Sequence, residues 1–149
     1  AIAVAVTGGV LNPVVRRVDE LSIDKIVGER RRVVTMARAG LVSARDQGNA
    51  CVTFSNLGAF AIDSFIAMLT PPEPWALAVG SIAERPIVRG GGLAVMETVT
   101  ATLACDHRVV DGADGARLLA GFMQRMGTVA VVGEQLTAAV AHSEADELS

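Results

Sequence analysis

The chain is most constrained by a strand that runs into a histidine-bearing turn and then into a helix. From Leu93 to Ala104, Leu93, Val95, Val99, Ala101 and Leu103 fall on one face and Thr98, Thr100 and Thr102 on the other, as in one long strand. The segment Asp106-His107-Arg108-Val109-Val110-Asp111-Gly112 follows. Ala113 to Met126 then switches to helical spacing through Leu118, Leu119, Phe122, Met123 and Met126. This change of period places His107 on the rim of a sheet, between two elements that fix its position. A lone strand is not stable in water, so the rest of the chain must supply its partners.

Upstream segments can do so. Ala1 to Val6 and Val10 to Val15, joined by Thr7-Gly8-Gly9, read as a hairpin. Ser22 to Ala39 reads as a helix that Ser22 caps and Gly40 ends, with Ile23, Ile26, Val27, Val33, Val34 and Ala37 on its apolar face. Ala50 to Phe54 reads as a strand entering the turn Ser55-Asn56-Leu57-Gly58. Phe60 to Leu69 is apolar without a clear period, and Thr70-Pro71-Pro72-Glu73-Pro74 is a loop. Trp75 to Gly80 reads as a compact strand, and Pro86 to Arg89 pairs with the long strand across Gly90-Gly91-Gly92. Beyond Gly127 the pattern weakens to a short helix at Glu134 to His142 and a frayed acidic end.

Composition narrows the function classes. A length of 149 residues with 51% apolar content suits one domain with a real core. A net charge of −3 argues against a nucleic-acid partner. Cys51 and Cys105 lack metal-ligand spacing and read as two free buried thiols, and His142 sits in a polar tail, so no metal site is expected. No apolar run is long enough for a membrane span, and Ala1 to Val6 lacks the marks of a signal peptide. The start reads as a chain entered partway through a strand. Asp24-Lys25 superficially suggests a lipoyl-attachment site, but Lys25 falls in the first turn of a helix rather than at a hairpin tip.

The chemistry available at the turn suits histidine. A neutral imidazole, ordinarily with a pKa of about 6.5, can take a proton from a thiol at the moment of attack. The thiolate is the attacking species. Asp111, four residues on, is placed to orient the loop or the ring, Gly112 frees the backbone, and Arg108 can pair with a carboxylate. Attack on a thioester builds an oxyanion that needs a donor, and Ser55 in its turn offers a hydroxyl. Arg85, Arg89 and Arg108 are candidate phosphate partners, with pairing to nearby acids the competing role for Arg85 and Arg89.

His107-Arg108-Val109-Val110-Asp111-Gly112 resembles the HRxxDG signature of dihydrolipoamide acyltransferases, the core subunits of 2-oxo acid dehydrogenase complexes. Chloramphenicol acetyltransferases share its HxxxDG part. Thr53 to Gly58 resembles the family's serine-bearing turn, and Pro71-Pro72 with Ala76 to Gly80 resembles its PPxxAxLAVG segment. Arg85-Pro86 and Cys105-Asp106 fall in the same order, so the resemblance runs from Ala1 to about Met126. It implies an α/β (α+β) two-layer fold: a chloramphenicol acetyltransferase-like mixed sheet with helices on one side, assembled as trimers that build a larger core.

The resemblance further implies His107 as general base, Ser55 as oxyanion donor and Asp111 in support, with histidine and serine from neighbouring subunits. The acyl group would pass between a lipoyl arm, carried on another domain, and coenzyme A. The decarboxylase and dihydrolipoamide dehydrogenase components would be partners, in the bacterial cytoplasm or, for a eukaryotic chain, the mitochondrial matrix. Succinyl-transferring members tend to carry a TNGG-like turn and YDHR. Ser55-Asn56-Leu57-Gly58 and Cys105-Asp106-His107-Arg108 look instead like acetyl- or branched-chain-acyl-transferring members, leaning to branched-chain.

The chain departs from the family pattern in three ways. Residues 1–127 read as part of the catalytic domain, without its front or the lipoyl and subunit-binding domains. Residues 128–149 read as an extension, and Gly40 to Ser55 matches loosely. Two alternatives stand beside the first reading: a coenzyme A-dependent acyltransferase with another acceptor, and a non-catalytic trimeric scaffold. Asp106 stands where condensation domains of peptide synthetases, the nearest example of the former, usually carry a second histidine.

Overall fold

The computed structural model describes residues 1–129. The tail helix expected at 134–142, His142 and the acidic end lie outside the described residues. Ala1–Asp111 forms one compact unit and the helix beginning at Gly112 belongs to a second.

In the first unit, β1 (Val4–Val6) and β2 (Gly9–Leu11) form the expected antiparallel hairpin, with Gly8 at φ +92° in its turn. The second strand stops before Pro13, which has no N–H to continue the ladder. The Pro13 carbonyl instead accepts from Ile2 N at 2.9 Å, and Val14 N donates to Asp46 O at 2.8 Å. Helix α1 (Ile23–Arg38) is capped as expected: Ser22 Oγ accepts from Lys25 N, and Gly40 takes φ +70° past the end. It packs against β1. Val33 and Ala37 are buried, whereas Ile23 and Val27 are exposed, so only the C-terminal part of the expected face is covered. The Arg32 guanidinium ties this helix to the following loop. It donates to both oxygens of buried Asp46 at 2.9 and 3.2 Å and to Glu29 at 2.9 and 3.0 Å. The Arg32 bonds to Asp46, and then one from the Ser43 hydroxyl, hold the Asp46 carboxyl well below the usual range.

Strand β3 (Val52–Asn56) runs parallel to β4 (Trp75–Val79). The hairpin β5 (Ala83–Arg89) and β6 (Gly92–Thr98) turns at Gly90 and Gly91, both at positive φ. Strand β7 (Ala101–Cys105) pairs antiparallel with β4, giving a mixed sheet of order β3-β4-β7. The single long strand expected from Leu93 to Ala104 is therefore two strands. Val99 and Thr100 separate them, β6 turns to β5 and β7 to β4, and Gly80 N donates to Thr100 O at 3.0 Å at the break. Alternation continues unchanged through a strand that switches partners, so the pattern alone could not reveal the break.

The sheet's core is built from small residues: Ala67, Ala76 and Ala78, with Phe65, Leu69 and Ala104 packed on it. Many large apolar side chains remain outside, among them Met68 at 88%, Leu93 at 84% and Ile66 at 76% exposure. Cys105 is half-buried, but Cys51 is exposed, so the pair is not the two buried thiols expected. In the second unit, α2 (Gly112–Val129) begins one residue before the expected start and carries an Asp114–Arg117 ion pair at 2.9 Å. Within its expected apolar stripe Leu118, Met123 and Met126 are exposed.

Candidate active site

Ser55, expected in the turn, instead lies half-buried within β3, one residue before its end, because the pairing with β4 continues through Ser55–Ala78 and Asn56–Val79. The turn after it is held from several sides. Asn56 Oδ1 accepts from Gly58 N at 2.8 Å, and Leu57 N donates to Val79 O at 3.1 Å. Ile62 O accepts from Ser81 N at 2.8 Å, which brings the 62–63 backbone over Gly80. A Cβ on Gly80 would meet the Asp63 carbonyl oxygen at 2.0 Å. Below the serine, the buried Thr53 hydroxyl donates to the buried Glu73 carboxylate, so the proline-rich loop is fastened to β3.

His107 lies two residues beyond β7, exposed, in the turn that Asp106 opens. Asp106 N donates to Pro74 O at 2.9 Å, so the chain keeps the direction of β7 past its end. The Arg108 guanidinium pairs with Asp106, the nearest carboxylate, at 2.7 Å. Asp111 is exposed at the last position before α2. Among the described residues, neither the Ser55 hydroxyl nor the His107 ring has a hydrogen-bond partner, and no cluster of His, Cys, Asp and Glu could hold a metal ion. Arg85 takes the competing role foreseen for it, pairing with Asp63 and donating to Thr98 O. Arg89 instead contacts the Met96 sulfur at 3.5 Å.

Within one chain the register separates the two key residues. Ser55 is aligned with Ala78, and Ala78 with Thr102. Cys105, aligned with Trp75 and Val52, marks the other end of the sheet, and His107 lies beyond it. From Thr102 to Cys105 is about 10 Å along the strand, and crossing from β3 to β7 adds about 10 Å sideways. Ser55 and His107 thus stand at opposite ends of the sheet. A single copy does not bring them together.

The sequence match decides the ancestry. Residues 1–131 match the model of the family described as 2-oxoacid dehydrogenases acyltransferase (catalytic domain). The chain belongs to that family. It is 34% identical over 122 residues to the dihydrolipoyllysine-residue acetyltransferase component of the pyruvate dehydrogenase complex of Rickettsia bellii, covering 82% of this chain and 29% of that one. A mitochondrial acetyltransferase component of Arabidopsis thaliana is 38% identical over 125 residues, covering 81% of this chain and 23% of that protein. The chain therefore spans less than a third of these relatives.

Solved acyltransferase cores bear out the expected fold. Azotobacter vinelandii dihydrolipoamide acetyltransferase superposes with a TM-score of 0.76 at 30% identity, covering 86% of this chain and 51% of that one. A structure of the cubic core of the pyruvate dehydrogenase complex gives the same values. A truncated catalytic core from Thermoplasma acidophilum superposes with a TM-score of 0.70 at 25% identity, covering 85% and 55%. Among the described residues, no helix is long and apolar enough to cross a membrane.

Proposed function

We propose that the chain supplies catalytic residues of a dihydrolipoamide acetyltransferase, moving an acetyl group between a dihydrolipoyl thiol and coenzyme A. One observation carries this. The Azotobacter vinelandii study concerns the catalytic roles of a serine, a histidine 52 residues later and an asparagine four residues after that, the spacings of Ser55, His107 and Asp111 here. In this reading His107 takes the proton from the attacking thiol as its sulfur bonds to the thioester carbon. The carbonyl oxygen becomes an oxyanion and accepts from the Ser55 hydroxyl. Collapse expels the other sulfur, which takes the proton back from the imidazolium. Asp111 stands where that relative has asparagine, so an ionised carboxylate could accept a hydrogen bond there but not donate one.

Because Ser55 and His107 lie at opposite ends of the sheet, the site forms between copies, the histidine of one meeting the serine of another. The exposed apolar side chains support association, since soluble monomers rarely leave so many uncovered. We infer a homotrimer that builds a larger core. The lipoyl arm comes from another domain, and the decarboxylase and dihydrolipoamide dehydrogenase are partners. The bacterial relatives favour the cytoplasm.

The relatives' names support acetyl over the branched-chain leaning of the sequence. Competition between acetyl-, isobutyryl- and succinyl-CoA on the full-length protein tests this. Acetyl-CoA should show the highest kcat/KM, by at least about tenfold over succinyl-CoA. Preferred isobutyryl transfer would assign the branched-chain type. Assembled particles that transfer none of the three would favour the scaffold.

A further inference from the structure

Asp106 and Arg108 flank His107, and each polar group of Asp106 is engaged. Its N–H donates to Pro74 O at 2.9 Å, and its carbonyl accepts from Val109 N and Val110 N, each at 3.0 Å. Its carboxylate accepts from Arg108 N at 3.0 Å and from the Arg108 guanidinium at 2.7 Å through Nη2 and at 3.0 Å through Nε. The backbone on both sides of His107 is thus held by one residue, and the exposed histidine projects from a closed turn.

An exposed ion pair two residues apart ordinarily contributes little. This one differs in geometry. The carboxylate is only 16% exposed and binds a backbone N–H together with the planar fork of the guanidinium. The Arg108 side-chain bonds, and then its backbone N–H, hold the Asp106 carboxyl down at about 2. The pair therefore stays ionised throughout the range in which a histidine base works.

We propose that Asp106 and Arg108 are a positioning pair for His107, locking the turn that presents the imidazole and cancelling each other's charge beside it. The inference rests on the reading of His107 as general base. The other ionisable groups nearby in the chain or on the packed loop are Asp111 in the same turn, the Cys105 thiol at the strand end and Glu73, whose carboxylate is turned in on Thr53. They are common to all the variants below, so they drop out of differences between them.

The test is the pH profile of kcat/KM for acetyl transfer in the full-length assembled protein. Asp106→Asn leaves the Arg108 cation uncompensated, which disfavours imidazolium. The acid limb should move to lower pH, by about half a unit for an exposed charge at this range. Arg108→Gln leaves the carboxylate uncompensated, and the limb should move to higher pH by a similar amount. The double variant should return the limb to its original place while kcat stays lowered about tenfold, because the turn is no longer locked. Arg108→Lys, which keeps the charge without the fork, should leave the limb in place and recover kcat only in part.

Unmoved limbs in both single variants, or shifts of the same sign, would overturn the proposal. So would full kcat in the double variant. A His107→Ala control run alongside separates the two claims. If that control keeps its activity, the reading of the base fails. If it is inactive while the pair variants behave as wild type, only the positioning role fails. Light scattering on each variant checks that assembly is unchanged.

Discussion

Replacing His107 by alanine in the full-length protein is expected to lower kcat/KM for acetyl transfer by about 10²- to 10⁴-fold, the range for loss of a positioned general base. Little structural cost should accompany it. His107 is exposed and its ring has no hydrogen-bond partner among the described residues. Thermal stability and particle size should therefore match wild type. Raising the pH should recover part of the lost rate, because a larger share of the attacking thiol is then already ionised. Steady-state kinetics across pH, with calorimetry on the same samples, checks both halves. A variant within about threefold of wild type would remove His107 from the mechanism.

The second large effect is structural. Gly80→Ala would put a Cβ 2.0 Å from the Asp63 carbonyl oxygen, 2.7 Å from the Asp63 carbonyl carbon and 2.9 Å from the Ile62 carbonyl oxygen. All three are backbone atoms, so no side chain can rotate away. The 62–63 segment must move, with the loss of the Ser81-to-Ile62 hydrogen bond. We expect a cost of about 3 kcal/mol or more, the scale of overpacking against backbone. Gly28→Ala is the control. Gly28 lies inside α1 with open space where a Cβ would stand, and alanine there should stabilise by up to about 1 kcal/mol. Thermal or denaturant unfolding should rank Gly28→Ala, wild type and Gly80→Ala in that order. Equal midpoints for the last two would mean that the close approach at Gly80 is relieved at little cost.

The local features are legible in the sequence because local chemistry sets them. The cap at Ser22, the left-handed glycine at 40 and the turns at Gly8 and at Gly90 and Gly91 all occur where the residues place them. So does the turn that carries His107. What the sequence hides is long-range. An alternating run from Leu93 to Ala104 looks the same whether it stays with one partner or leaves β5 for β4. Gly80 carries no local mark of the backbone lying across it; the Asp63 carbonyl arrives from seventeen residues upstream. The covered face of α1 is shorter than its periodicity suggests, because periodicity shows which side chains can be buried and not how much of the helix meets a neighbour. Asp106 stands inside the recognised motif, yet its service to both its neighbours depends on the turn closing, which spacing does not disclose.

The separation of Ser55 from His107 follows the same division. Each residue is identifiable from its own segment, Ser55 beside the turn that follows β3 and His107 in the turn that follows β7. Their positions at opposite ends of the sheet come from the pairing of β3, β4 and β7, which no single segment encodes. The proposal of a site shared between copies stands on that register, and it is open to a direct measurement. Full-length chains carrying Ser55→Ala or His107→Ala would be produced together in one cell and the mixed assemblies assayed for acetyl transfer. With random mixing, about a quarter of the interfaces combine an intact serine with an intact histidine. Each parent alone should show about 1% of wild-type activity or less. The account predicts that the mixed assemblies recover between a tenth and a quarter, roughly, of wild-type turnover. Activity no higher than the average of the two parents would contradict it.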